Sequence, residues 1–307
     1  MPKHPDTAAH CARGPSQVAP QGNGAPSDRT CPQALMSGPE CADPGPRFDP
    51  LVPHPARVYG YWLGGKDHYP ADREVAEEVI RWRPQVVAGA RANRAFLARV
   101  VRYLAGECGV RQFLDIGTGL PAPDSTHQVA QAIAPVGRVV YADNDPLVLV
   151  YARALLTSGP QGSCDYVEAD LRDTPAVLTG AARTLDFARP VAVLLLAVLH
   201  FLTDTDDPAG VVAALARRLA PGSFVVISHL TADFGPGPVA AGVETYTSLV
   251  PTPLVPRTHA QVSALFGGLP LVPGVVPVTE WRPVSVSPAP YVADLYAGVA
   301  RKPEGRL

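Results

Sequence analysis

Charge is scarce in this chain and evenly matched: 26 Lys and Arg stand against 28 Asp and Glu, 18% of residues carry charge, and the net is −2. Such a balance supplies no basic stripe for a nucleic-acid backbone and no polybasic patch for an anionic membrane, so the expected partner is a small molecule. Long apolar runs are missing as well. The most apolar stretch, 191–202, is far shorter than the ~20 residues a membrane helix needs, and no signal-like apolar segment follows Met1. Cysteine is sparse and irregular. Five of them, an odd number, argue against a disulfide framework and for a reducing compartment, hence an expected cytoplasmic location. No C-x-x-C pair accompanies His4, His10, Cys11, Cys31 and Cys41, so no metal site is expected. There is no internal repeat, and nothing in the pattern sets the oligomeric state.

Residues 1–50 hold ten prolines and five glycines with few large apolar side chains, too little burial to offset the entropy of ordering. They are expected to form a disordered tail, with the folded domain at 51–307. Aromatics and a Gly-Gly pair appear from Pro55, followed by amphipathic helices at about 71–82 and 90–104. These form an expected N-terminal helical cap over 55–105.

The alternation that follows predicts an α/β fold. Strands are expected at 112–116, 138–142, 164–169, 191–198 and 224–228, with helices at 125–133, 147–156 and 208–219. The near-continuous apolar run of the fourth strand marks a central parallel strand buried on both faces. A proline-rich stretch with a short helix follows, then a helix over 258–266 and two strands near 275–281 and 291–300.

The first strand runs into a glycine turn, Gly117-Thr118-Gly119, where an open α/β sheet receives a nucleotide-like ligand. Asp115 sits at the carboxyl end of that strand. A carboxylate there would repel a pyrophosphate, which such turns otherwise cradle, but would attract the ammonium and sulfonium of S-adenosylmethionine (SAM). The turn also satisfies the loose form G-x-G-x-x-A, so a nicotinamide oxidoreductase remains a reading. Asp143 closes the second strand, where a carboxylate can accept from both ribose hydroxyls, and Asp170 closes the third. Three successive strands ending in Asp115, Asp143 and Asp170 are a more specific signal than the glycines.

The segments ARVYGYWLGGKD, ARANRAFL, RQFLDIGTGLP, VVYADNDPLVL, EADLRD, AVLHFL and GVARKP occur in that order. On these the chain resembles the class I SAM-dependent methyltransferases, and more narrowly a family of S-adenosyl methyltransferases long catalogued as a domain of unknown function, over 55–303. It departs by carrying Gly60 and Trp62 where the family pattern has aspartate and leucine. The resemblance implies a Rossmann-like, mostly parallel seven-stranded sheet with its last strand antiparallel and helices on both faces. It implies SAM as cofactor, with Asp115, Gly117 and Gly119 at the methionine part, Asp143 at the ribose, and Asp170 with Leu171 at the adenine; Thr118 and Asn144 are cofactor candidates too. Tyr59, Gly65, Lys66 and Arg91 are the further cofactor candidates. His200, just past the fourth strand, is the candidate general base for methyl transfer to an oxygen or nitrogen of a small molecule, with His229 close behind. The alternative function is a SAM-binding sensor without an acceptor.

Overall fold

In a computed structural model of the protein, residues 49–283 and 293–304 are described. The tail expected over 1–50, with the histidines and cysteines named in it, lies outside them but for its last two residues.

Proline starts many of the helices. It sits in the first turn of α1 (Pro55–Trp62), α2 (Pro70–Trp82), α5 (Pro146–Leu155), α6 (Thr174–Ala181), α7 (Pro208–Arg218) and α8 (Pro236–Leu249), where its missing N–H costs nothing. The others are α3 (Val86–Gly106), α4 (Thr126–Ile133) and α9 (His259–Ala264). Asp145 caps α5, its side chain accepting from the Leu147 N–H at 2.9 Å.

Among the described residues the strands β1 (Gln112–Ile116), β2 (Arg138–Asp143), β3 (Ser163–Glu168), β4 (Ala192–Leu196), β5 (Phe224–Leu230), β6 (Val276–Pro277) and β7 (Leu295–Arg301) form one seven-stranded sheet. Their order is β3-β2-β1-β4-β5-β7-β6. The first five run parallel; β7 is antiparallel to β5 and to β6. Register places Asp115 beside Tyr141 on β2 and Leu194 on β4, so the carboxyl ends of β1, β2 and β4 share one edge. The chain leaves β1 toward β2 on one side and returns as β4 on the other, which opens a crevice at that edge.

Alternation along the strands feeds two cores. Leu114, Ile116, Val193 and Leu195 pack on the face covered by α6, α7 and α9; Phe113, Tyr141 and Leu194 pack on the other, under Phe96, Val100 and Leu104 of α3. A third cluster joins Val58, Val75 and Val79 of α1 and α2 to Tyr246 of α8. Helix α8, expected only as a short helix in a proline-rich stretch, is therefore a structural wall of the cap.

The strand expected near 275–281 is shorter, ending at Pro277, which has no N–H to extend a ladder. Trp281 instead turns inward, edge-on to Phe96 with centroids 5.3 Å apart, its Nε1 donating to the Val272 carbonyl at 3.0 Å. The strand expected over 291–300 begins at Leu295, and residues 291 and 292 fall outside the described ones. No helix among the described residues is long and apolar enough to cross a membrane.

Candidate functional site

At the β1–β4 crevice the glycine turn is fixed by close approach and by backbone sign. Gly117 has φ +70°, and a Cβ there would lie 2.5 Å from the Val198 side chain in the loop after β4. Gly119 has φ +65° and open space where a Cβ would sit, so a ligand can come against its backbone. The Gly119 N–H donates to Asp143 Oδ2 and the Asp145 N–H to Asp143 Oδ1, both at 3.0 Å. A carboxylate has about four acceptor positions, so Asp143 keeps two for a ligand while holding the turn in place. Asp145, occupied as the α5 cap, has a separate task.

Asp115 is 5% exposed, and the Thr126 Oγ1 donates to its Oδ2 at 2.6 Å. Burial raises its carboxyl above the usual range, against the smaller opposing effects of that hydrogen bond and of the Arg94 charge. Burial likewise raises Asp143. Two buried carboxylates on one cavity wall suit a ligand that brings a cation and hydroxyl donors.

That cavity, about 110 Å³, is lined by Asp115, Gly117, Thr118, Gly119 and Asp143 on the strand side, and by His54, Tyr59, Asn93 and Arg94 on the cap side. The Tyr59 hydroxyl donates to the Ala90 carbonyl at 3.0 Å and accepts from Asn93 Nδ2 at 3.1 Å. Asn93 Oδ1 accepts from Ser228 Oγ at 2.6 Å, and Ser228 Oγ accepts from the Ala197 N–H at 3.0 Å. This chain of bonds ties α1 and α3 to the ends of β4 and β5, and it holds Ala197 at φ +56°, a conformation that costs an alanine roughly 1–3 kcal/mol.

A second cavity of similar size adjoins the first and shares Pro55, Tyr59, Ala197 and Phe201 with it. Its described walls come largely from α1, α2, α3 and α8 and are mostly apolar, with the Arg83–Asp294 pair, His200 and the exposed Gln85 as exceptions. Arg83 Nε and Nη2 donate to Asp294 at 2.6 and 2.7 Å, so that pair is bidentate and closed on itself.

His200 lines this second cavity. The Leu230 N–H donates to its Nδ1 at 3.3 Å, which leaves Nε2 to carry the proton of a neutral imidazole. Burial first, then His229 and Arg257, push it well below the ordinary histidine value. Its remaining polar group is therefore the Nε2–H of a neutral imidazole. His229 is fully engaged: its Nε2 lies 3.1 Å from Arg257 Nη1 and its Nδ1 2.8 Å from the Leu230 carbonyl. Arg257 also donates to Leu199, Leu202 and Asp204, so His229 belongs to a buried structural knot.

The other sequence candidates fall outside both cavities. Gly64, at φ +84°, and Gly65, whose N–H donates to the Gly60 carbonyl at 2.9 Å, close the C-terminus of α1 in a left-handed cap, and Lys66 follows exposed. Arg91 is exposed; Arg94, one turn further along α3, takes the place on the cavity wall. Asp170 pairs with Arg172 at 2.9 Å and accepts from Asn144 Nδ2 at 3.3 Å, beyond the cavity's lining, while Leu171 is buried in the core beneath. Sequence reasoning missed His54, Asn93, Arg94 and Ala197. The ARANRAFL segment carried two of them, but helix phase relative to Asp115 decides which side chain faces inward.

Residues 42–303 match the model of the S-adenosyl methyltransferase family. The chain belongs to that family. It is a SAM-dependent methyltransferase with a Rossmann-like fold, and SAM is its cofactor; the nicotinamide reading falls. A DUF574 family protein from Streptomyces avermitilis is similar at 43% identity and TM-score 0.79, over 82% of this chain and 98% of that one. A protein from Thermobifida fusca, provisionally assigned as a methyltransferase, is similar at 38% identity and TM-score 0.77, over 85% and 99%. None of the curated proteins matches significantly.

Proposed function

We propose that the enzyme methylates an oxygen or nitrogen of a small-molecule acceptor held in the second cavity. The observation that carries this reading is the shared wall of Tyr59, Ala197 and Phe201 between a polar cavity suited to SAM and an apolar one beside it. A sensor has no use for the second chamber.

The polar cavity fits the cofactor by its donor set. Asp115 takes the ammonium group, with Arg94 opposite for the carboxylate in place of the expected Arg91. Asp143 accepts from the ribose hydroxyls, and Gly117, Thr118 and Gly119 let the backbone approach. Asn144 and Asp170, with Leu171 beneath, lie beyond this lining and would take the adenine end. Bound SAM supplies a sulfonium-activated methyl group, so the protein's own tasks are alignment and exclusion of water, and orientation alone can contribute ~7–11 kcal/mol. His200 orients the acceptor by donating from Nε2, and Tyr59 fixes the wall between the cavities.

The test is turnover with methyl-labelled SAM against a fractionated metabolite extract. Label should appear in a small molecule with stoichiometric S-adenosylhomocysteine. Tight binding of SAM and of S-adenosylhomocysteine with no label transferred to any fraction would instead support the sensor.

A further inference from the structure

Two glycines in the second cavity have no structural reason to be glycine. Gly89 lies in α3 and Gly242 in α8, both are buried, and both have ordinary helical backbone. A Cβ built on either would meet no heavy atom within 4 Å outside its own helix. Helix-interior glycine is less stable than alanine, and neither a turn nor a close packing contact demands it here. What the missing side chains leave is room, and both positions line the same chamber.

The chamber's electrical character is equally specific. Its formal charges are Arg83 and Asp294, which neutralise one another in a bidentate pair. A charged acceptor group would enter without a free counter-charge, and burying an unpaired ion is costly. One polar group does await a partner. The Tyr246 hydroxyl, on a residue 2% exposed and one helical turn beyond Gly242, makes no hydrogen bond among the described residues.

From this void, this neutrality and this unpaired hydroxyl we infer that the acceptor is an uncharged, predominantly apolar molecule, and that Gly89 and Gly242 set the size it can have. The inference rests on the methyl-transfer reading above. Val58, Val79, Val239 and Leu254 supply the apolar surface, and Trp62 and Phe201 the aromatic one. Polar contact is limited to a few hydrogen bonds, from Tyr246, His200 and the exposed Gln85.

The experiment is calorimetric titration of the full chain, saturated with S-adenosylhomocysteine, with 2-naphthol and with 6-hydroxy-2-naphthoate, the same ring system without and with a carboxylate. The parent should bind 2-naphthol at least tenfold more tightly. Gly242→Leu should weaken 2-naphthol at least tenfold while S-adenosylhomocysteine affinity stays within about twofold. Gly89→Ala, the gentler filling, should keep or raise the melting temperature and weaken 2-naphthol less. Equal or tighter binding of the carboxylate, absence of naphthol binding, or a Gly242→Leu variant that binds 2-naphthol like the parent overturns the inference. Should Gly242→Leu not fold, unchanged naphthol binding in Gly89→Ala and Gly242→Ala together overturns it equally. A parent that fails to bind S-adenosylhomocysteine sinks the methyl-transfer reading itself, and this inference with it.

Discussion

The two cavities share a wall and differ in how they are made. The polar one stands on strand ends and a glycine turn, elements whose register is fixed by the sheet, and its carboxylates arrive at fixed places. The apolar one is assembled from helices of the cap and from α8, and its shape depends on which helical faces meet. On the proposed reading, cofactor recognition is built into the sheet and acceptor recognition into what lies over it. A change in one cavity should leave the other's ligand almost untouched.

Asp143→Ala should break the polar side hardest. A hydrogen bond to a charged acceptor is worth up to ~1.5–3 kcal/mol, water entering the gap recovers part of the two that are lost, and the variant also frees the Gly119 turn. SAM affinity measured by calorimetry should fall by roughly 2–4 kcal/mol, or ~30- to 1,000-fold. Asp145→Ala, which removes a helix cap, should cost stability of ~1 kcal/mol and far less binding. Parent-like SAM affinity in both variants would falsify the ribose assignment.

Asp115→Asn keeps an acceptor for Thr126 and removes the charge, so SAM should bind about ten- to a hundredfold more weakly, the loss of one charge-assisted bond. Because burial raises the Asp115 carboxyl, and the cofactor's ammonium needs it ionised, parent affinity should decline on acidification at a higher pH than the ~3.9 of an exposed aspartate. The Asn variant should lose the Asp115 share of this dependence and keep that of Asp143, whose carboxyl burial also raises, and titrations across pH would show whether the two profiles differ.

Arg83→Ala strikes the apolar side. It strands Asp294, 8% exposed, and cuts a link between α2 and β7. Breaking a fully buried pair costs ~3–5 kcal/mol; Arg83 is partly solvated, so about 1–3 kcal/mol is expected, read as a fall in melting temperature. SAM affinity should hold within about threefold. A variant of unchanged stability would mean that the pair does not hold the cap.

Much of the fold was readable because its signals are local. Gln112–Ile116 is fixed by a short apolar run stopped by glycine, and Pro208 sets the start of α7. The carboxylates proposed for the cofactor were readable for the same reason, each standing at or just past a strand end. What stayed hidden depends on contacts far apart in sequence. The Gly64-Gly65 pair stands out in the sequence, but only the fold shows that it closes a helix. His200 and His229 look alike along the chain, yet a backbone N–H and the Arg257 guanidinium decide which nitrogens remain free.

The smallest expected effect follows from that knot. Burial lowers His229 to about 4, so the folded state resists protonation there. Its stabilising contribution is complete above the unfolded value of ~6.5 and is lost as pH falls from there toward about 4. His229→Gln should flatten stability against pH across this window in denaturant melts, with no change in SAM affinity. An unaltered slope would remove His229 from the titrating set.

The central claim, that cofactor and acceptor occupy separate cavities meeting at Tyr59, Ala197 and Phe201, is tested most directly by a crystal structure of the S-adenosylhomocysteine complex. The account predicts the ammonium group within hydrogen-bond distance of Asp115, the ribose hydroxyls on Asp143, and the sulfur facing the shared wall with the apolar chamber open beyond it. A sulfur directed away from that wall, or a homocysteine tail lying inside the apolar chamber, would contradict it.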